Sequence, residues 1–275
     1  MSESLTTHPA PSASALFTLS THEDDRIDAA VREGLSALIK ERSREEVYSE
    51  EEIALLQRVR QKFEGSLEEG KWKELKSPDV FVTMESTFEE GGSSAGVGRA
   101  ITVVDALLED CVAWEGARMT RERVKDHHDF GGLDRAVVKL TNHCELFHNV
   151  IDFGVATLAP REWLTKAVWK MVDEDTMIVC MEDIKDDRFP PGARKNYVRA
   201  SSGAFWKYER LSEVRGIPQT RVTYVQQADL KGLIPSFIAN SKIVGQLEYL
   251  STMRKKFDTL FLLNFRCSYL KLALS

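Results

Sequence analysis

The sequence predicts an α+β fold, an antiparallel β-sheet with α-helices at both ends of the chain and few helices among its strands. Three observations predict it. Between residues 72 and 227, short strand-like runs follow one another across hairpin-length turns, and strands joined that closely pair antiparallel. Ahead of them, apolar residues recur at helical spacing in two stretches. After them, an alternating segment ends at Asp229, turns at Lys231-Gly232 and passes through Pro235 into a long amphipathic helix.

The elements follow in order. A helix is expected over 24–40, with Thr21 as N-cap and Ile27, Val31, Leu35, Leu38 and Ile39 as its stripe. A second is expected from Glu50 to about Leu67. Ser49 and Glu52 form a capping box, in which each side chain satisfies an orphan backbone donor of the other residue. Ile53, Leu56, Val59, Phe63 and Leu67 form its stripe, and Gly70 ends it. The segment 72–85 carries two short strands broken at Ser77-Pro78. The run 91–96 is a loop, 97–104 a strand and 107–123 a short helix. Further strands are expected over 136–140, 144–153, 163–171, 176–182, 197–210 and 220–227. The last helix runs from Ile234 to about Phe257, with Arg254, Lys255 and Lys256 where cations favour the helix dipole. One helix cannot cover a sheet of six or more strands, so curling the sheet around it leaves a cavity suited to an apolar ligand.

Composition narrows the function classes. The chain has 275 residues, 43% hydrophobic and 29% charged, as in an ordinary globular protein large enough to bury its own core. Its net charge of −6 argues against nucleic acid as a partner. Acid concentrates in residues 1–70, which hold 15 acidic and 8 basic side chains, so a protein partner at the N-terminal helices is an open expectation. Four scattered cysteines without a CxxC pair read as cytosolic thiols. The first twenty residues lack Lys, Arg and a long apolar core, which counts against a secretory signal and a transit peptide. The expected location is cytoplasmic.

The reactive-looking motifs have ordinary readings. The Gly-rich run 91–98 lacks the Lys and Ser/Thr of a phosphate-binding loop. Asp126-His127-His128-Asp129 lacks metal-ligand spacing and reads as a solvated loop. His143, Cys144 and His148 do not share one strand face, so a buried or cavity-lining histidine is expected there. Ser201-Ser202-Gly203 lacks the first glycine of a nucleophile elbow. No catalytic residue, metal or cofactor is expected.

Three segments carry a family resemblance: Ala159-Pro160-Arg161-Glu162-Trp163; Tyr197-Val198-Arg199-Ala200 with Ser202-Gly203; and Asp229-Leu230-Lys231-Gly232 with Ile234-Pro235. In this order and spacing they resemble the START domain, the steroidogenic-acute-regulatory-related lipid transfer family, over about 72–257. The resemblance implies a helix-grip fold, a curved antiparallel sheet wrapped around a long C-terminal helix, here with extra N-terminal helices. It implies one lipid (sterol, phospholipid or related) in an internal hydrophobic tunnel, transfer or sensing of that lipid, transient contact with a membrane surface, and no covalent chemistry. A non-transferring interaction module on the same fold is the alternative, with a hydrolase or cyclase on a related grip fold behind it. The expected organisation is a disordered tail over 1–22, a helical extension over 23–70, the START-like domain over 71–260 and a C-terminal tail over 261–275.

Sterol-type members carry a buried acid–arginine pair on neighbouring strands. Counted from Pro160-Arg161, those positions fall on His148 and Ala167, so the pair is absent by this alignment. Strand alternation extends the alignment to an expected cavity lining of Leu146, His148, Val150, Trp163, Thr165, Ala167, Trp169, Ile178 and Cys180, with Ile243, Leu247 and Leu250 from the helix. The turn 172–176, where some members place a hydrophobic entrance loop, is acidic here.

Overall fold

The computed structural model describes residues 47–69, 72–87, 96–191, 196–232, 234 and 236–258. The helix expected over 24–40, the tails 1–22 and 261–275, and most of the Gly-rich run lie outside these residues. The described residues all fall in one compact unit, Val47–Ser275.

Helix α1 (Glu50–Glu69) starts at the expected capping box. The Ser49 amide donates to Glu52 Oε2 at 2.8 Å, and the Glu52 amide donates to Ser49 Oγ at 3.2 Å. Its buried face is Leu55, Leu56, Val59 and Phe63, while Ile53 is exposed. The expected stripe is thus rotated at its first turn, with Leu55 in the place of Ile53. Leu55, Leu56, Val59 and Phe63, in the segment assigned from the sequence to an extension, share a core with Cys144, Val168, Ile178, Cys180, Phe205 and Val225 of the sheet.

Ten strands are described: β1 (Lys73–Leu75), β2 (Val82–Thr87), β3 (Gly96–Val104), β4 (Gly132–Lys139), β5 (Cys144–Ile151), β6 (Arg161–Met171), β7 (Thr176–Asp183), β8 (Val198–Arg199), β9 (Ser201–Val214) and β10 (Ile217–Asp229). They form one curved sheet in the order β1-β2-β3-β10-β9-β7-β6-β5-β4. All pairs on this path are antiparallel, and β8 adds a short parallel pairing to β6. The expected strand 197–210 is split into β8 and β9 at Ala200.

After β3 the chain leaves the middle of the sheet and reaches the far edge at β4 through α2 (Leu108–Gly116) and α3 (Arg121–Asp129). The sequence placed one helix over 107–123. The structure breaks it at residues 117–120 and starts α3 after Thr120. Asp126-His127-His128-Asp129, expected as a loop, closes α3, with His127 buried and His128 exposed. From β4 the strands return by hairpins until β10 pairs with β3.

The last helix begins as α4 (Ser236–Leu247), is interrupted by a turn at Glu248 and continues over 249–258. It packs on β3 and β10. The close approach is at Gly98, where a Cβ would stand 2.6 Å from Ile243 Cγ2 and 2.9 Å from Leu247 Cδ1. The basic run at the helix end is engaged within the fold. Arg254 pairs with Asp79 and Asp258 at 2.9 Å each, and Lys256 pairs with Glu122 at 2.7 Å.

Candidate functional site

The two faces of the sheet follow from its register. Directly paired residues on neighbouring strands share a face. Cys144, Val168, Cys180, Phe205 and Val225 lie on the α1 face. Their chain neighbours therefore face the other side, towards the last helix. On β5 and β6 those are the pairs Asn149–Trp163, Phe147–Thr165 and Glu145–Ala167.

A cavity of about 460 Å³ lies on this inner face. That falls within the range of roughly 300–1,000 Å³ typical of small-molecule sites. Phe147, Asn149, Ile151, Trp163, Thr165, Met181, Ala204, Trp206, Tyr224 and Gln226 form its floor. Gly245, Gln246, Tyr249 and Thr252 of the last helix, with Phe130 at the end of α3, form its roof. Trp206 stacks on Tyr224 with ring centroids 3.9 Å apart, and Tyr249 meets Trp206 edge-on at 5.6 Å.

One end of the cavity is polar. Arg118, on the turn between α2 and α3, is 5% exposed and pairs with Glu115 at 2.6 Å. Its Nε stands 3.0 Å from Glu145 Oε1, an ion pair off the hydrogen-bond axis. Arg123 lies over the Trp114 and Tyr249 rings at 4.3 and 4.5 Å. It donates to the Tyr249 hydroxyl, which in turn donates to Glu115. Arg135 of β4 donates to the Arg123 carbonyl at 3.1 Å. Both Arg118 and Arg135 sit against Phe147, at 4.6 and 5.0 Å from the ring centre. Burial raises the Glu145 carboxyl above its ordinary value against the pull of Arg118. Burial, aided by Arg123 and Arg118, pulls Arg135 down to about 10.

Trp163 and Thr165 are where the sequence placed them, in the cavity wall. Ala167 shares their face opposite Glu145 and Met181, and Trp169 on the same parity donates its indole N–H to the Asn142 carbonyl at 3.1 Å. The other assignments are corrected. Leu146, His148 and Val150 are on the opposite face, His148 against Glu162 at 2.9 Å and stacked on Phe189. Ile178 and Cys180 pack in the α1 cluster. Ile243 and Leu247 stand over Gly98, and Leu250 is fully buried; the helix presents Gly245, Gln246 and Tyr249 to the cavity instead. His143 pairs with Glu52 of α1 at 3.3 Å.

The physical reason is a one-residue parity inside β5. Counting back from Pro160 assumes a fixed length for the connection 152–160, and an odd error there inverts the whole strand. The register places Glu145, not His148, beside Ala167. Glu145 is an acid on the inner face, and its cation, Arg118, comes from the α2–α3 turn. Glu145 and Asn149 had one available signal: both are polar at alternate positions of a strand that must be half buried. Arg118, Arg123 and Arg135 had none, because a charge on a surface-length helix or edge strand reads as solvated.

Residues 63–260 match the START domain family. The chain belongs to the START domain family. Membership supports lipid binding or transfer in general. No curated protein matches the chain. Among solved structures, human StAR-related lipid transfer protein 5 is similar at TM-score 0.60 and 16% identity, covering 78% of this chain and 100% of that one. Human STARD10 is similar at TM-score 0.55 and 16% identity over 82% and 85%. The human StarD13 (DLC2) lipid transfer and protein localization domain is similar at TM-score 0.52 and 18% identity over 77% and 98%. At these identities the likeness shows the START fold. Among the described residues no helix is long and apolar enough to cross a membrane.

The junction between α3 and β4 holds a buried histidine that lines the cavity. His127 is 8% exposed, with Nε2 3.2 Å from the Asp134 carbonyl. Burial, then Arg135, lowers its pKa below the ordinary 6.5. Between that lowered value and 6.5 the unfolded chain binds more protons than the folded one, so stability rises with pH in this window. This contribution is complete above 6.5 and lost as pH falls through the folded value. Thermal melts from pH 7.5 to 5 are expected to fall less steeply in His127→Gln than in the wild type; parallel curves would refute the assignment.

Proposed function

We propose that this START domain binds one lipid in the inner-face cavity and carries or senses it at the cytoplasmic surface of membranes, without covalent chemistry. The observation that carries the reading is the space left between the inner face and the last helix. The inner face and the last helix stand apart over β5 and β6, and aromatic side chains together with polar ones wall the gap. Affinity comes mainly from buried apolar ligand surface, at about 25 cal/mol per Å². The neighbours named as lipid transfer proteins support the same reading. Release requires the last helix or the α3–β4 turn to move aside, a step that membrane contact favours.

Incubation of the purified protein with mixed-lipid vesicles, re-isolation and mass spectrometry test the reading. Near one lipid per chain is expected, with at least tenfold less retained by Ala204→Trp, which fills the floor. A protein that stays empty overturns the reading.

A further inference from the structure

The polar end of the cavity holds more cation than anion. Three guanidinium groups converge there, from Arg118, Arg123 and Arg135, against two carboxylates, Glu115 and Glu145. Both carboxylates are committed to Arg118 at 3.0 Å or closer. Arg123 has Glu115 only at 3.9 Å. Among the described residues Arg135 has no carboxylate partner. The acidic groups that also line the space are more open to water: Asp129 and Glu248 are exposed and Asp126 is half-buried. Water screens them, whereas the arginine end is shielded.

Unpartnered atoms supply an independent observation. The Nε atoms of Arg123 and Arg135 are buried without a hydrogen-bond partner, and Arg123 is 7% exposed. Native proteins satisfy almost all such donors, so two orphaned guanidinium donors on residues that line one end of the cavity point to missing acceptors. Farther along the floor, Trp163 Nε1 and Asn149 Oδ1 are also without partners. They belong to directly paired residues, one a donor and the other an acceptor. A hydroxyl accepts from one and donates to the other.

We propose that the cavity is selective for an amphiphile with a single chain or one fused-ring body whose polar end is an oxyanion, a carboxylate or phosphate, held by Arg123 and Arg135, with room for one hydroxyl at the Asn149–Trp163 pair. This rests on the lipid-binding reading above. Guanidinium suits the task because its planar fork meets two oxygens at once. The volume of about 460 Å³ lies in the lower half of the roughly 300–1,000 Å³ range of small-molecule sites, which suits a single chain or ring body.

Calorimetric titration with a matched series tests the proposal: hexadecanoate, hexadecyl phosphate, hexadecanol and hexadecylamine, with inorganic phosphate as the chain-free arm. The two anions are expected to bind at least tenfold more tightly than the alcohol, the amine most weakly, and inorganic phosphate at least a hundredfold more weakly than hexadecyl phosphate. Arg135→Gln is expected to reduce the anion-to-alcohol ratio at least fivefold and Arg135→Lys to restore part of it. Equal binding of alcohol and anions overturns the headgroup assignment while sparing the lipid reading. Phosphate binding as tightly as its hexadecyl ester turns the site into a free-oxyanion site and overturns the proposal. Failure of every chain-bearing ligand to bind sinks the lipid reading and this inference with it. The wild-type series decides the matter even if the Arg135 variants fold poorly.

Discussion

Arg161→Ala is expected to destabilise the protein by about 3–5 kcal/mol and to release the last helix. Arg161 is 3% exposed and has no carboxylate partner among the described residues. Its guanidinium spans a chain junction instead. Nε donates to the Leu230 carbonyl at 2.8 Å, Nη2 to the Lys231 carbonyl at 3.1 Å and Nη1 to the Ala159 carbonyl. Leu230 itself packs with Ile151, Trp163 and Ala200. Lys231 and Gly232 follow in left-handed backbone, at φ +56 and +79, a conformation that needs support from outside the turn. Removing the guanidinium strands the buried Leu230 carbonyl, at about 1–3 kcal/mol, and takes the donor from the less buried Ala159 and Lys231 carbonyls. Burial alone depresses the Arg161 pKa, so the interaction is with carbonyl dipoles rather than with a counter-charge. Arg161→Lys should recover only part of the loss, because an ammonium cannot reproduce the fork. Urea unfolding measures the cost, and a loss below about 1 kcal/mol for Arg161→Ala would rule out the clamp.

Gly98→Val is expected to separate the last helix from the sheet and to abolish lipid retention while most of the sheet persists. The Cβ of any side chain at 98 would overlap Ile243 Cγ2, which belongs to a β-branched residue with little rotamer freedom in a helix. Leu247 closes the other side at 2.9 and 3.3 Å. Overpacking of this kind costs about 1–3 kcal/mol for a single methyl and more for a branched side chain. The helix must then lift, and the cavity it roofs opens to water. The decisive measurement is a cycle of Gly98→Ala and Ile243→Ala. Relief of the clash predicts a coupling of about 1 kcal/mol or more. Additive losses would show that the helix does not bear on β3 at this point.

The two variants also mark how far the sequence could be read. The Pro-Arg-Glu-Trp segment and the Asp-Leu-Lys-Gly segment were legible as separate family signatures. That the arginine of the first grips the carbonyls of the second was not, because nothing local records a contact between residues 161 and 230. Element positions were legible where punctuation was strong: the Ser49–Glu52 box opens α1, and β6 and β7 close within a residue or two of the expected ends. Less legible was Glu50–Glu69, whose apolar stripe is the same whether the helix stands apart or packs on a sheet.

The lining of the cavity divides along the same line. Hydrophobic alternation shows that a strand has two faces but does not say which face is inside when both are covered. Here α1 covers one face and the last helix the other, so no position of β5 is exposed. Only pairing with β6 shows that Phe147, Asn149 and Ile151 face the cavity while Leu146, His148 and Val150 face away.

By itself, then, the sequence determined the class of fold, the order of its strands and helices, and the family, since these depend on periodicity, turn residues and short motifs carried along the chain. The tertiary structure alone decided strand parity, the packing of α1 on the sheet and the convergence of Arg118, Arg123, Arg135, Glu115 and Glu145 at one end of the cavity. Those depend on register and on long-range burial. A single residue of slip inverts a strand, and a charge becomes a site only when distant elements remove it from water.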